Sequence, residues 1–337
     1  MSQITHEELA ALFIAPNSDQ QLIKIASEKV FRVNWKGRRM YKRKDNSRLY
    51  TSLTTFLSSV MPPSKHLQGW RDDLAETLGG VDKVDEYVQA TADYGTTMHV
   101  LIGEICQAGF ADWDALYIRA TELLIELGLP SKAVESATRE VIRDTAAIVK
   151  FFADYEVNVI SVEVPVFSNW GFATFIDLVV EMNDKCYTEK TPTEKRKRIK
   201  ACINMKSGKK GFHDSHKYQL IGERMAWNET YGSFMPITEV FNLAPTDWKK
   251  EPSYKLACQT GFADDNEGAN TKVFGHWLAI AELKGDMKNP SSPIQVFEGV
   301  TKLGADPTNE LKTYFSDKAQ DLINKQQKQQ HDTDKQD

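Results

Sequence analysis

Cysteine is scarce in this chain, and what there is lies scattered. Cys106, Cys186, Cys202 and Cys258 form no C-x-x-C pair, so neither a zinc ribbon, an iron–sulfur cluster nor a disulfide framework organises the fold. They read as buried, reduced thiols of a cytosolic protein. No apolar run approaches the length that spans a bilayer. The opening stretch MSQITHEELAALFIAP sets acidic residues ahead of a short apolar patch, unlike a secretory leader. A strong net charge is missing too: 42 Lys and Arg against 47 Asp and Glu leave −5. Any affinity for a polyanion must therefore come from local clusters rather than from the field of the whole molecule.

What is present is ample core material: 337 residues, 41% hydrophobic and 26% charged, enough for one large domain or two modest ones. Two basic clusters stand out, Lys36 to Arg48 and Glu189 to Lys200. Each fits a solvated hairpin or loop as well as a phosphate contact. No internal repeat is visible.

The pattern divides the chain. Residues 1–49 read as a short helix (Thr5 to Phe13) and a basic β-hairpin turning at Lys36-Gly37. Residues 50–156 read as helical: two helices broken at Pro62-Pro63, the first capped by Thr51 or Ser52, and then three longer ones. In the last of these, Val134, Ala137, Val141, Ile148, Phe152 and Tyr155 form one apolar stripe. From Val157 the period shortens to two. VNVISVEVPVF, FATFIDLVVEM, IKACINM, PITEVFNLAP and SYKLAC read as strands, and FHDSHKYQLIGERMAWNETYG as a helix of about five turns. Helices near Asn270 to Leu283 and Asn309 to Asn324 close the 157–324 region. The tail, 325–337, is polar and expected to be disordered. The order predicts an α/β (α+β) fold, a mixed sheet flanked by helices, in a single functional domain.

In IKACINMKSG, Asn204 and Lys206 share one face of a strand. Asp177 sits among apolar neighbours in FATFIDLVV, where an uncompensated carboxylate is costly. Either a cation faces it, with Lys206 the natural counter-charge from the next strand, or it caps a neighbouring loop at the strand end. Glu163 in SVEVPVF is a second acid among β-branched residues, and His99 lies on an otherwise core-like helix.

These stretches, taken in order, resemble the PD-(D/E)XK nuclease superfamily and its RecB-like branch, which includes phage exonucleases and mitochondrial genome maintenance exonucleases. The likeness runs through YTSLTTFLSSVMP and LQGWRDDLAE, through ATADYGTTMHVLIGE for a G-T-x-x-H motif, and through VEVPVF and GFATFIDLVVE for the acid-bearing strands. It continues in INMKSG for the D/E-x-K strand and HKYQLIGERMAW for the Q-containing helix, covering Tyr50 to Trp227.

The resemblance implies a restriction-endonuclease-like core. It implies that Asp177 and His99 bind a metal, Mg²⁺ with Mn²⁺ as substitute, together with position 204 and the Met205 carbonyl. Lys206 would orient or activate the attacking water, Glu163 would support the site or hold a second ion, and Gln219 would contact DNA or the lysine. The helix start, Ser52, Thr54 and Thr55, would grip a phosphate, and Arg71, Ser207, Lys209 and Lys210 would contact DNA. Trp70 or Trp170 could stack on bases. Such chemistry neutralises the non-bridging oxygens of a phosphodiester and helps an alkoxide depart.

The implied activity is a metal-dependent deoxyribonuclease, an exonuclease acting on DNA ends or single strands. It would work in the cytoplasm, the host's if phage-encoded, with a recombination or replication protein as a possible partner and no membrane. The alternatives are a DNA-binding module without cleavage and an RNA-directed endonuclease of the same fold.

Two residues depart from the pattern. Glu223 stands where tyrosine is common, and Asn204 stands where the family has Asp or Glu. Asn204 has three explanations: an inactivated copy of an active nuclease, the one the retained Lys206, Asp177 and His99 favour; a natural pseudo-nuclease; or an acid moved elsewhere, to Glu163 or Glu189.

Overall fold

The computed structural model describes residues 30–35, 38–43, 48–62, 65–188, 190–208, 211–233, 235–264 and 268–284. The expected helices at Thr5 to Phe13 and Asn309 to Asn324, the hairpin turn at Lys36-Gly37 and the tail lie outside them.

Strands β1 (Val30–Trp35) and β2 (Arg38–Arg43) pair antiparallel, Trp35 opposite Arg38, as the hairpin pattern predicts. β3 (Leu49–Ser52) follows, then α1 (Leu53–Val60), α2 (Lys65–Leu78), α3 (Val81–Ala108), α4 (Trp113–Glu126) and α5 (Ser131–Asp154). α3 stops where Gly109 takes φ 76° and returns its N–H to Ile105 O, a left-handed turn that glycine adopts without steric cost. The Asp112 carboxylate caps α4 by accepting from the Ala115 N–H. The remaining elements are β4 (Asn158–Phe167), β5 (Phe172–Asn183), β6 (Arg198–Met205), α6 (Asp214–Tyr231), β7 (Glu239–Pro245), β8 (Tyr254–Cys258), α7 (Thr260–Ala263) and α8 (Ala269–Leu283).

The eight strands form one mixed sheet, β1-β2-β3-β5-β6-β7-β8, with β4 also on β5. Ala173 pairs with both Ser52 of β3 and Phe167 of β4, while Leu178 pairs with both Val162 of β4 and Ile203 of β6. β4 therefore holds one edge of β5, and β3 and β6 share the other, end to end. This placement corrects the helical reading of Tyr50 and Thr51, while Ser52 stands at the N-cap of α1, one of the two positions expected. The three residues are a strand parallel to β5, buried on both sides, which no alternation in four residues could announce.

Helices cover both faces. α3, α4 and α5 bury Leu101, Ile105, Leu123, Ile148 and Phe152 against Leu178, Val180, Ile203 and Leu243. On the opposite face α1, α6 and α8 bury Phe56, Leu220, Trp227 and Phe274 against Phe172, Val179, Cys202 and Val240. The near-continuous apolar run of β5 follows from this double cover. Among the described residues no helix is long and apolar enough to cross a membrane. Cys106 and Cys202 are buried as expected, but Cys186 and Cys258 are exposed, because their segments lie at the rim of the sheet rather than under a helix.

Candidate metal centre

The site begins with an irregularity in the sheet. In a regular strand, residues two apart share a face. Val162 packs toward α3–α5 whereas Val164 packs toward α6, and Leu178 and Ile176 opposite them divide the same way. Both strands exchange faces at the intervening step, occupied by Glu163 and Asp177. Glu163 takes φ 46° to do so, a left-handed conformation that non-glycine residues hold only where the surroundings impose it.

His99 of α3 meets these two acids. Its Nδ1–H donates to Glu163 Oε1 at 3.1 Å and lies 3.6 Å from Asp177 Oδ1. One ligand atom from each residue falls within 4.8 Å of the others. Burial works to lower the His99 pKa, but the Asp177 charge and the Glu163 hydrogen bond outweigh it and leave the imidazole raised to about 9. Burial raises the Glu163 carboxyl above its ordinary range, against the pull of His99. A proton on His99 therefore places a positive charge between Glu163 and Asp177.

Gly95 explains how the next strand comes close. A Cβ there would stand 3.1 Å from Ser207 Oγ, so the missing side chain admits the turn after β6 one helical turn before His99. The last paired residue of β6 on β5 is Ile203, opposite Leu178. Past it the strands part, and the Asp177 carboxylate enters the fork, its Oδ2 accepting from the Met205 N–H at 2.6 Å. Lys206 does not take the counter-charge role for Asp177 by direct contact. Its ammonium donates to Gln219 Oε1 on α6 at 3.1 Å, close enough to Glu163 and His99 for its charge to be felt at both.

Asn204 and Lys206 do share a face, and α6 reads it: Nδ2 of Asn204 donates to Glu223 Oε1 at 2.9 Å, four residues after Gln219, whose Nε2 donates to the same oxygen at 2.7 Å. Burial, then the Asp177 charge, raises the Glu223 carboxyl to about 8. Met205 itself points into the core beneath α3–α5.

The proposed DNA contacts divide. Ser52 stands at the α1 N-terminus, but its hydroxyl bonds Thr54 Oγ1 and caps no backbone N–H; Thr54 is exposed and Thr55 half-buried. Arg71 pairs with Asp85 on α3. Trp70 lies near Tyr87, while Trp170 is exposed in the turn before β5. Lys209, Lys210 and Glu189 lie outside the described residues. The second basic cluster is remote: Arg198 pairs with Asn183 at the far end of the β5–β6 hairpin, six residues or about 20 Å along the strand from Asp177, and Arg196 pairs with Glu156.

Sequence reasoning missed three neighbours. Glu223 registered only as a departure from pattern. Asn242, the register partner of Asn204 on β7, is fully buried in VFNLAP, and a polar residue inside that apolar run was the available signal. His216, held down to about 3 by burial and by Lys206, gave no signal. Compared with models of known protein families and with curated proteins, the chain matches none.

Proposed function

We propose that this protein is a metal-dependent DNA nuclease of the PD-(D/E)XK kind, hydrolysing phosphodiester bonds at DNA ends or in single strands. The observation that carries the reading is the convergence of His99, Glu163 and Asp177 from three separate elements, with Lys206 beside them. The donor set suits a hard divalent ion. Two carboxylates and one imidazole fit Mg²⁺, with Mn²⁺ favoured by the nitrogen; Asn204, the residue before the Met205 N–H that Asp177 holds, leaves its buried Oδ1 without a hydrogen-bond partner. His99, Glu163 and Asp177 would hold the ion, which when bound supplies positive charge to the non-bridging oxygens of the scissile phosphate.

The chain's own residues do the rest. Asp177 anchors the Met205 backbone and so fixes the direction in which Lys206 leaves the strand. Lys206, steered by Gln219, presents a point charge to the phosphate and a proton donor or acceptor to water. The start of α1, reached from β3 on the same edge of β5 as β6, has Thr54 exposed and no side chain capping its backbone, and would offer its first N–H groups to a neighbouring phosphate. The test is a time course on end-labelled single- and double-stranded DNA with Mg²⁺ or Mn²⁺. Wild type should degrade DNA; Asp177→Asn and Lys206→Ala should not. A wild type inert with both ions on both substrates would overturn the reading.

The neutral Asn204 favours a second reading, a module that binds DNA without cutting it. Retention of labelled DNA with no loss of length would support that instead. Competition by single-stranded RNA would expose an RNA-directed endonuclease of the same fold.

A further inference from the structure

The two positions at which the sequence departs from the nuclease pattern touch each other. Asn204 comes from β6 and Glu223 from α6, 19 residues apart, and both side chains are without solvent exposure. Each leaves an oxygen over: Asn204 Oδ1 and Glu223 Oε2 are buried with no hydrogen-bond partner, and both amide atoms of Asn242, beside Asn204 in the sheet, are in the same state. Buried acceptors are nearly always satisfied. Three unpartnered oxygens, with the Asn242 Nδ2 donor beside them, gather around Asn204.

Glu223 also sets two amide orientations. Its Oε1 draws the Nδ2 of Asn204 and the Nε2 of Gln219. That turns Asn204 Oδ1 away, unpartnered, and turns Gln219 Oε1 onto Lys206. With a neutral acceptor and donor at 223, either amide could flip.

We propose that Glu223 supplies, from the helix, the carboxyl group that the resemblance places at position 204, and that Asn204 is its matched neutral partner, presenting an amide oxygen where the resemblance has an acid. This rests on the metal-dependent reading above. Glu223 is then a positioning residue, acting through Asn204 and Gln219. On this proposal the acid has moved elsewhere, as in the third explanation of Asn204, but to Glu223 rather than to Glu163 or Glu189. Restoring aspartate at 204 alone would set two carboxylates at hydrogen-bond distance in a dry site, which like charges oppose.

The test is an exchange. Binding of Mn²⁺ alone to the full-length protein is followed by electron paramagnetic resonance in wild type, Asp177→Asn, Glu223→Gln and the double variant Asn204→Asp/Glu223→Gln, with thermal melts to confirm folding. Wild type should bind and Asp177→Asn should not. Glu223→Gln should bind at least tenfold more weakly. The double variant, which moves the single carboxylate back to the strand, should recover to within threefold of wild type. Wild-type affinity in Glu223→Gln, or a double variant that does not bind, overturns the proposal while leaving the metal site standing. Absence of Mn²⁺ binding in wild type would instead remove the reading on which it rests. Should Glu223→Gln fail to fold, the double variant decides alone, because it keeps the wild-type count of one acid and one amide.

Discussion

Gly95 and Ser207 meet closely: a Cβ on Gly95 would lie 3.1 Å from the serine hydroxyl oxygen, so any side chain there makes the serine give way. The helix that carries His99 and the turn that follows Lys206 thereby pack closely, and the close approach accounts for a glycine in the middle of α3 despite its weak helix propensity.

Gly95→Ala should separate stability from function. Alanine gains about 0.5–1 kcal/mol over glycine inside a helix, and Ser207 needs to yield only a few tenths of an ångström. The melting temperature should hold or rise while DNA cleavage falls, because the residue displaced is next to Lys206. Parallel melts and cleavage time courses check this; equal loss of both would contradict it.

The protonated His99 ties stability to pH in metal-free protein. Its folded pKa, about 9, lies above the ordinary value of about 6.5. Its contribution is therefore fully present below about pH 6.5 and is lost as pH rises through 9. With chelator present, wild type should lose melting temperature between pH 7 and 10, and His99→Gln should lose less. A metal needs the imidazole without its proton, so Mn²⁺ binding should tighten over the same interval and release protons, measurable by calorimetry in buffers of different ionisation enthalpy.

Lys206→Ala should lower cleavage by roughly 10²-fold or more, the usual scale for a positioned charge or proton-transfer group, with melting temperature little changed because the ammonium is partly solvated. Gln219→Leu leaves the lysine in place and unsteered, so its loss should be smaller. A Gln219→Leu defect as large as that of Lys206→Ala would assign the glutamine a direct role.

Gly222→Ala tests the packing of α6. A Cβ there would stand 2.7 Å from Leu53 Cδ1 and 3.0 Å from Phe274 Cζ, inside the core shared by α1, α6 and α8. Overpacking of this kind costs about 1–3 kcal/mol, more than alanine returns as a helix former. Chemical denaturation should show the loss, and Leu53→Ala should partly relieve it in the double variant.

Local periodicity was enough to reveal most of the elements. The two-residue alternation of IKACINM, the double-sided apolar run of FATFIDLVV and the stripe of Ser131 to Tyr155 each depend on a few neighbouring residues, and each became the strand or helix expected. Residues 49–52 escaped because a short strand buried on both faces has no alternation to show. The chain order also placed His99, Glu163 and Asp177 on a helix and two neighbouring strands, where they can converge.

What the sequence by itself determined, then, is most of the described helices and strands and which side chains are candidates for chemistry. Tertiary structure alone decided which of those side chains meet. The exchange of faces at Glu163 and Asp177 needs two strands to turn over together, with φ 46° at one residue, and no single-strand pattern contains that. The remoteness of the Arg198 loop follows from the antiparallel register of β5 and β6. The contact between Asn204 and Glu223, residues 19 apart, depends on how α6 crosses β6, a matter of packing between elements. Two residues that in sequence are separate departures from a pattern are, in space, one hydrogen-bonded pair.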